Sequence, residues 1–124
     1  MAYGFNNNKE KVRFVLIEET VTINQNGFAY VADTAKLSSK YGINDVTKFA
    51  LVGASYSDSI NPHDFSIPNI VYEKDETADV GIGRVKPYIE FDRRNAAQYF
   101  GLVIWDNENI GAIYNVYVLL MEIA

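Results

Sequence analysis

Two apolar runs near the end of the chain, Tyr99-Phe100-Gly101-Leu102-Val103-Ile104-Trp105 and Ala112-Ile113-Tyr114-Asn115-Val116-Tyr117-Val118-Leu119-Leu120-Met121, decide how it folds. The turn-rich Asp106-Asn107-Glu108-Asn109-Ile110-Gly111 joins them. Counting by twos puts Ile113, Tyr117, Leu119, Met121 and Ile123 on one face of the second run. Tyr114, Val116, Val118 and Leu120 fall on the other. A half-solvated antiparallel strand alternates apolar with polar, so a strand apolar on both faces must be covered on both. In a small all-β chain the second cover is a helix, a long loop or another subunit. The stretch therefore points to assembly more than to chemistry.

Composition agrees with a strand-built domain. At 124 residues and 48% hydrophobic content, the chain has the size of one domain with its own core. Nine Tyr and seven Phe, with many Val, Ile and Thr, lean toward β structure. The absence of cysteine excludes disulfides, thiolate catalysis and zinc–thiolate sites. No run of 18 apolar residues marks a membrane span, and the first nine residues lack the apolar core of a signal peptide. Synthesis in the cytoplasm is the expectation. The net charge is −5 and no basic cluster exceeds Arg93-Arg94, which speaks against nucleic acid as a partner.

Residues 1–11 read as a polar leader, with Tyr3 and Phe5 expected to dock on this domain or a neighbour. Residues 12–124 read as a single β domain. Val12-Arg13-Phe14-Val15-Leu16-Ile17-Glu18-Glu19-Thr20-Val21-Thr22-Ile23 supplies one long strand or two short ones. Asn24-Gln25-Asn26-Gly27 is a hairpin signal, and the alternating Phe28-Ala29-Tyr30-Val31-Ala32-Asp33-Thr34 is expected to pair back across it. A loop or helical turn follows over 35–43, then a strand over 49–56, a long loop over 57–69 and a short strand over 70–74. The run 85–92 is a further strand, with Pro87 preferring an edge or a strand start. A second hairpin is expected around 106–111. About seven strands at short spacing predict an all-β chain, an antiparallel β-sandwich or jelly-roll-like barrel.

Few residues carry chemistry. His63 is the only imidazole, and Asp64 beside it in sequence points elsewhere, so it reads as a solvated loop histidine. Gly81-Ile82-Gly83 lacks the third glycine and the helix of a phosphate loop. Asp75, Glu76 and Asp79 have oxygen-ligand spacing without the order of a calcium loop, and read as a solvated acidic turn. Glu18-Glu19 and Glu90/Asp92 are carboxylate pairs of glycosidase type, but Glu18 and Glu19 face opposite sides of a strand, and nothing in the sequence brings Glu90/Asp92 opposite a partner. No catalytic residue, metal or cofactor is expected. The tyrosines 30, 41, 56, 72, 88, 99, 114 and 117, with Trp105, form the one enriched set. Such side chains suit a β core, an interface or sugar stacking.

Three segments carry a resemblance. Met1-Ala2-Tyr3-Gly4-Phe5-Asn6-Asn7-Asn8-Lys9 resembles the leader of small virion proteins encoded by phages of gut and soil bacteria. Ile23-Asn24-Gln25-Asn26-Gly27-Phe28-Ala29-Tyr30-Val31-Ala32-Asp33 is similar to their polar hairpin, and Ala112-Ile113-Tyr114-Asn115-Val116-Tyr117-Val118-Leu119 to the closing strand of fibre and decoration domains. The resemblance implies a non-catalytic structural subunit of a bacteriophage particle, as a capsid decoration, head-fibre or tail-associated module. It would be a homo-oligomer that also binds a capsid or tail protein and resides in the virion. The alternative is a glycan- or receptor-binding sandwich that uses exposed aromatics, with a surface glycan as partner. The expected interface set is Tyr3, Phe5, Trp105, Tyr114, Val116, Tyr117, Val118 and Leu120. Leaving four large side chains of the last strand in water would forgo about 1.5–3 kcal/mol each, so a homo-oligomer, cyclic if the contact is with itself, or a tight complex with a virion partner is expected to bury part of Tyr114, Val116, Val118 and Leu120.

Overall fold

A computed structural model describes residues 12–72, 85–93 and 101–123. Eight strands run through them: β1 (Phe14–Thr22), β2 (Phe28–Ala32), β3 (Phe49–Asp58), β4 (Phe65–Ser66), β5 (Asn69–Tyr72), β6 (Tyr88–Phe91), β7 (Leu102–Trp105) and β8 (Ile113–Glu122). One short helix, α1 (Thr34–Ser39), follows β2. The strands form two four-stranded sheets, β1-β8-β3-β4 and β2-β7-β6-β5, so the fold is an open all-β sandwich and not a closed barrel. All pairings are antiparallel except β5 with β6, which is parallel. The strand beyond the expected seven is the two-residue β4, inside the stretch read as one long loop.

The core lies between the sheets. Ile17, Leu51, Val116, Val118 and Leu120 from the first sheet meet Ala29, Val31, Ile89, Phe91, Leu102 and Ile104 from the second. The side of β8 that carries Tyr114, Val116, Val118 and Leu120 is therefore covered by the domain's own second sheet. Val116, Val118 and Leu120 are wholly buried and Tyr114 is 7% exposed. This corrects the expectation that a partner subunit covers these four. The open side of β8 is the other one.

Both expected hairpins are instead arches that carry the chain from one sheet to the other. β1 pairs along its whole length with β8, and β2 pairs with β7, so β1 and β2 are not partners. The Asn24 side chain accepts from the N–H groups of Asn26 and Phe28, which closes the first turn. The second arch, between β7 and β8, runs beside it. Asp106 N–H donates to the Gly27 carbonyl (2.8 Å), Ile23 N–H to Ala112 (2.9 Å) and Gly111 N–H to Ile23 (2.9 Å). An Asn-Gly pair specifies a tight reversal but not which strand lies beyond it. Gly27 has φ +88°, and a Cβ there would lie 2.6 Å from Asn107 Cβ. The arches can touch because that atom is missing.

The segment between β2 and β3 covers the free edge of β1. Asp33 caps α1 by accepting from Lys36 N–H (2.8 Å), and Leu37 anchors the helix in the core. The chain turns at Gly42 and brings Tyr41 against the middle of β1. Pro87 precedes β6, at the strand start where its missing N–H is tolerated. β6 itself lies inside its sheet and is buried on both faces.

Candidate functional site

The outward surface of the β1-β8-β3-β4 sheet is the open face of the sandwich, and the register arranges it in rows. Phe14, Met121 and Ala50 form one row, and Leu16, Leu119 and Gly53 the next. Glu18, Tyr117 and Ser55 follow, then Thr20, Asn115 and Ser57. One half of the face is thus apolar and the other polar. Phe14 and Leu16, on the edge strand β1, are 55% and 52% exposed although each is a large apolar side chain. A bulge between Leu51 and Gly53 turns Val52, on the far side of β8, out to solvent.

The polar half is ordered by side-chain contacts. Thr20 Oγ1 donates to Asn115 Oδ1 (2.8 Å), and Asn115 Nδ2 donates to Ser57 Oγ (3.3 Å), so one chain of hydrogen bonds crosses three strands. Phe65 on β4 meets Tyr117 edge-on, with centroids 5.5 Å apart at 64°. A shallow depression of about 170 Å³ lies over this half, lined by Glu18, Glu19, Thr20, Asn115 and Tyr117. The Glu18 carboxylate and the Tyr117 phenol have no hydrogen-bond partner among the described residues.

Glu18 and Glu19 diverge, as adjacent strand residues must. Glu19 turns toward α1, where it pairs with Lys36 (3.3 Å) and Lys40 (2.7 Å) and accepts from the Tyr41 phenol (2.5 Å). Burial works to raise the Glu19 pKa, but the hydrogen bonds from Lys40, Tyr41 and Lys36 outweigh it and hold the carboxyl below its usual range. A glycosidase acid needs the opposite shift, so Glu19 is tuned away from the acid role. Tyr41 is pushed up by burial and by its bond to Glu19, and Lys40 is raised mainly by its bond to Glu19. The same phenol accepts from Glu18 N–H (3.3 Å), which closes the centre of the free β1 edge against another strand.

The second sheet carries an aromatic row on its outward side. Trp105 packs against Phe28 (5.0 Å) and stacks on Tyr88 (6.3 Å, 11°), while Tyr30 meets Phe28 edge-on. The Trp105 indole donates to Glu90 Oε1 (3.0 Å). Glu90 and Asp92 are both buried, and Glu90 accepts from the indole.

Of the expected interface residues, Tyr117 lies on the open face and Trp105 is half-buried in the aromatic row. Tyr114, Val116, Val118 and Leu120 belong to the core. Tyr3, Phe5, the turn with Asp75, Glu76 and Asp79, and the Gly81–Gly83 fragment lie outside the described residues. His63 is exposed in the loop before β4 and makes no hydrogen bond or ion pair among the described residues. No group of three metal-ligating side chains occurs among the described residues, and no helix there is long and apolar enough to cross a membrane. The grouping of Glu18, Thr20, Asn115 and Tyr117 escaped the sequence reading. Its signal is shared parity on two strands, which acts only once β1 is known to pair with β8. Comparison with protein-family models, with curated proteins and with solved structures finds no match.

Proposed function

We propose that this chain is a non-catalytic structural subunit that assembles through the apolar half of the β1-β8-β3-β4 face. The observation that carries the reading is the pair of adjoining rows holding Phe14, Met121, Leu16 and Leu119 on an open sheet surface. Burying one such side chain is worth about 1.5–3 kcal/mol, and contiguous apolar patches of this kind mark interfaces. The occupant is a second copy of the chain, face to face about a two-fold axis. Three strands at ~4.8 Å spacing and ~3.3 Å per residue give the apolar half, about five residues long, a footprint near ~240 Å² before the protruding side chains are counted, the size of a weak contact rather than an obligate one. The sequence resemblance supports placing this assembly in a phage particle, with a capsid or tail protein as the further partner. The engagement of Glu19 by two lysines and of Glu90 by an indole supports a non-enzymatic role.

Sedimentation velocity on the full chain tests this. The unaltered protein should sediment as an oligomer, and Leu16→Glu should sediment as a monomer with an unchanged β spectrum. A monomer at high micromolar concentration would overturn self-assembly through this face.

A further inference from the structure

We infer that the outer edge of β1 is a latent strand-addition site for a second copy of this chain, held shut by the Tyr41 phenol. The inference goes beyond assembly through the open face, because it uses the backbone of β1 and not its outward side chains.

β1 is an edge strand of its sheet, nine residues long and paired with β8 from end to end. Antiparallel pairing turns the N–H and C=O of alternate residues away from the partner strand. Tyr41 identifies that set. Its phenol oxygen accepts from Glu18 N–H at 3.3 Å and lies 3.0 Å from the Glu18 carbonyl. The one phenol proton is divided between that carbonyl and Glu19 Oε2. The hydroxyl therefore stands where a neighbouring strand's peptide group would stand. Leu16 and Thr20 share the parity of Glu18, and their backbone groups have no partner among the described residues. A long edge of this kind is a template for another strand. One side chain closes it.

The charges along β1 name the occupant. A β1–β1 pair about a two-fold axis at Leu16 sets Leu16 against Leu16, Phe14 against Glu18, and Arg13 against Glu19 of the second copy. The first two pairings would exchange backbone hydrogen bonds, and the third joins opposite charges at each end. An axis at Glu18 would instead set two carboxylates against each other, which is unfavourable. Arg13 and Glu19 are also the residues that fasten the lock. Arg13 donates to the carbonyls of Tyr41 and Gly42, both at 3.1 Å, and Glu19 holds the phenol. Opening the clasp thus frees the charges that the pairing uses, so the closed edge and the paired edge exclude each other.

The test uses the full chain carrying Leu119→Glu, which removes association through the open face and leaves the β1 backbone as it is. On that background Tyr41→Ala is compared with Tyr41→Phe, which keeps the ring that packs against the core. Sedimentation velocity and amide hydrogen exchange follow both. The background chain should be a monomer in which the Glu18 amide is protected and the Leu16 amide exchanges fast. Both Tyr41 variants should self-associate at least ~tenfold more tightly. Their Phe14, Leu16 and Glu18 amides should slow by at least ~tenfold as protein concentration rises. Adding Arg13→Glu should return the monomer, and adding Arg13→Glu together with Glu19→Arg should restore the dimer. The inference is overturned if the folded Tyr41 variants stay monomeric, if they associate while Leu16 still exchanges fast, or if Arg13→Glu leaves association unchanged. Loss of the β spectrum in Tyr41→Phe would also overturn it, because the hydroxyl would then be a requirement of the fold and not a lock. An unaltered chain that proves monomeric would defeat the open-face reading and leave this test as it stands.

Discussion

The phenol of Tyr114 donates to Asp106 Oδ2 at 2.5 Å, joining the start of β8 to the arch that leaves β7. Asp106 is wholly buried, and it also accepts from Asn109 Nδ2 (3.0 Å) and from Glu108 N–H (3.3 Å). Burial, and then the bond to Asp106, push the Tyr114 phenol far above its ordinary value, so it stays a donor at any working pH. The carboxyl thus organises the whole arch from inside.

Tyr114→Phe removes one of three donors and leaves a buried acceptor short. The expected cost is about 1–3 kcal/mol, because an unmet buried acceptor keeps its desolvation penalty. Urea unfolding should show a lower midpoint with an unchanged slope. An unaltered midpoint would show that the arch holds without this bond.

Gly27 and Gly111 separate two effects of glycine. Both have positive φ, +88° and +87°, but a Cβ meets Asn107 at 2.6 Å in the first and nothing within 4 Å in the second. Gly111→Ala should cost about 1 kcal/mol for the backbone conformation alone. Gly27→Ala carries that cost and forces the arches apart, so its midpoint should fall distinctly further. Equal losses would mean that the two arches do not depend on their close contact.

Glu19 makes the clasp between β1 and α1 sensitive to pH. Its folded pKa lies below the unfolded value of 4.5, so its contribution is present above that value and is lost as pH falls through the folded pKa. Tyr41 and Lys40 have raised values against 10.0 and 10.5, so their contributions persist below those values and are lost at higher pH. The clasp is therefore fully formed between these limits. Stability measured from pH 3 to 7 should show the parent exceeding Glu19→Gln at neutral pH, with the gap closing in acid. A gap independent of pH would remove the ion pairs as its cause.

Strand positions were legible because period-2 patterns and turn residues are local. The runs that became β1, β2, β3, β7 and β8 all stand out in the sequence. Pairing was less legible. Asn26-Gly27 announces a reversal, yet the Gly27 carbonyl is used by Asp106, some eighty positions away, and that contact has no local trace. The doubly apolar β8 predicts cover on both faces; the structure shows it for one, and parity cannot say which face that is. Tyr114, Val116, Val118 and Leu120 face inward because β3 and β1, on either side of β8, turn Leu51 and Ile17 the same way. The polar half of the open face was invisible for the same reason. Glu18 and Tyr117 become neighbours only through the pairing of a strand near the start with the last one.

The claim that organises this account is that the two faces of β8 have different owners, the domain's core inside and a second copy of the chain outside. Sedimentation velocity combined with circular dichroism on Val116→Asp and Leu16→Glu tests it most directly. Val116 is wholly buried, so an Asp there places an unpaired charge in the core and should abolish the β spectrum. Leu16 is on the open face, so Leu16→Glu should keep the spectrum and disperse the oligomer. A folded, monomeric Val116→Asp beside a folded, still oligomeric Leu16→Glu would contradict the account.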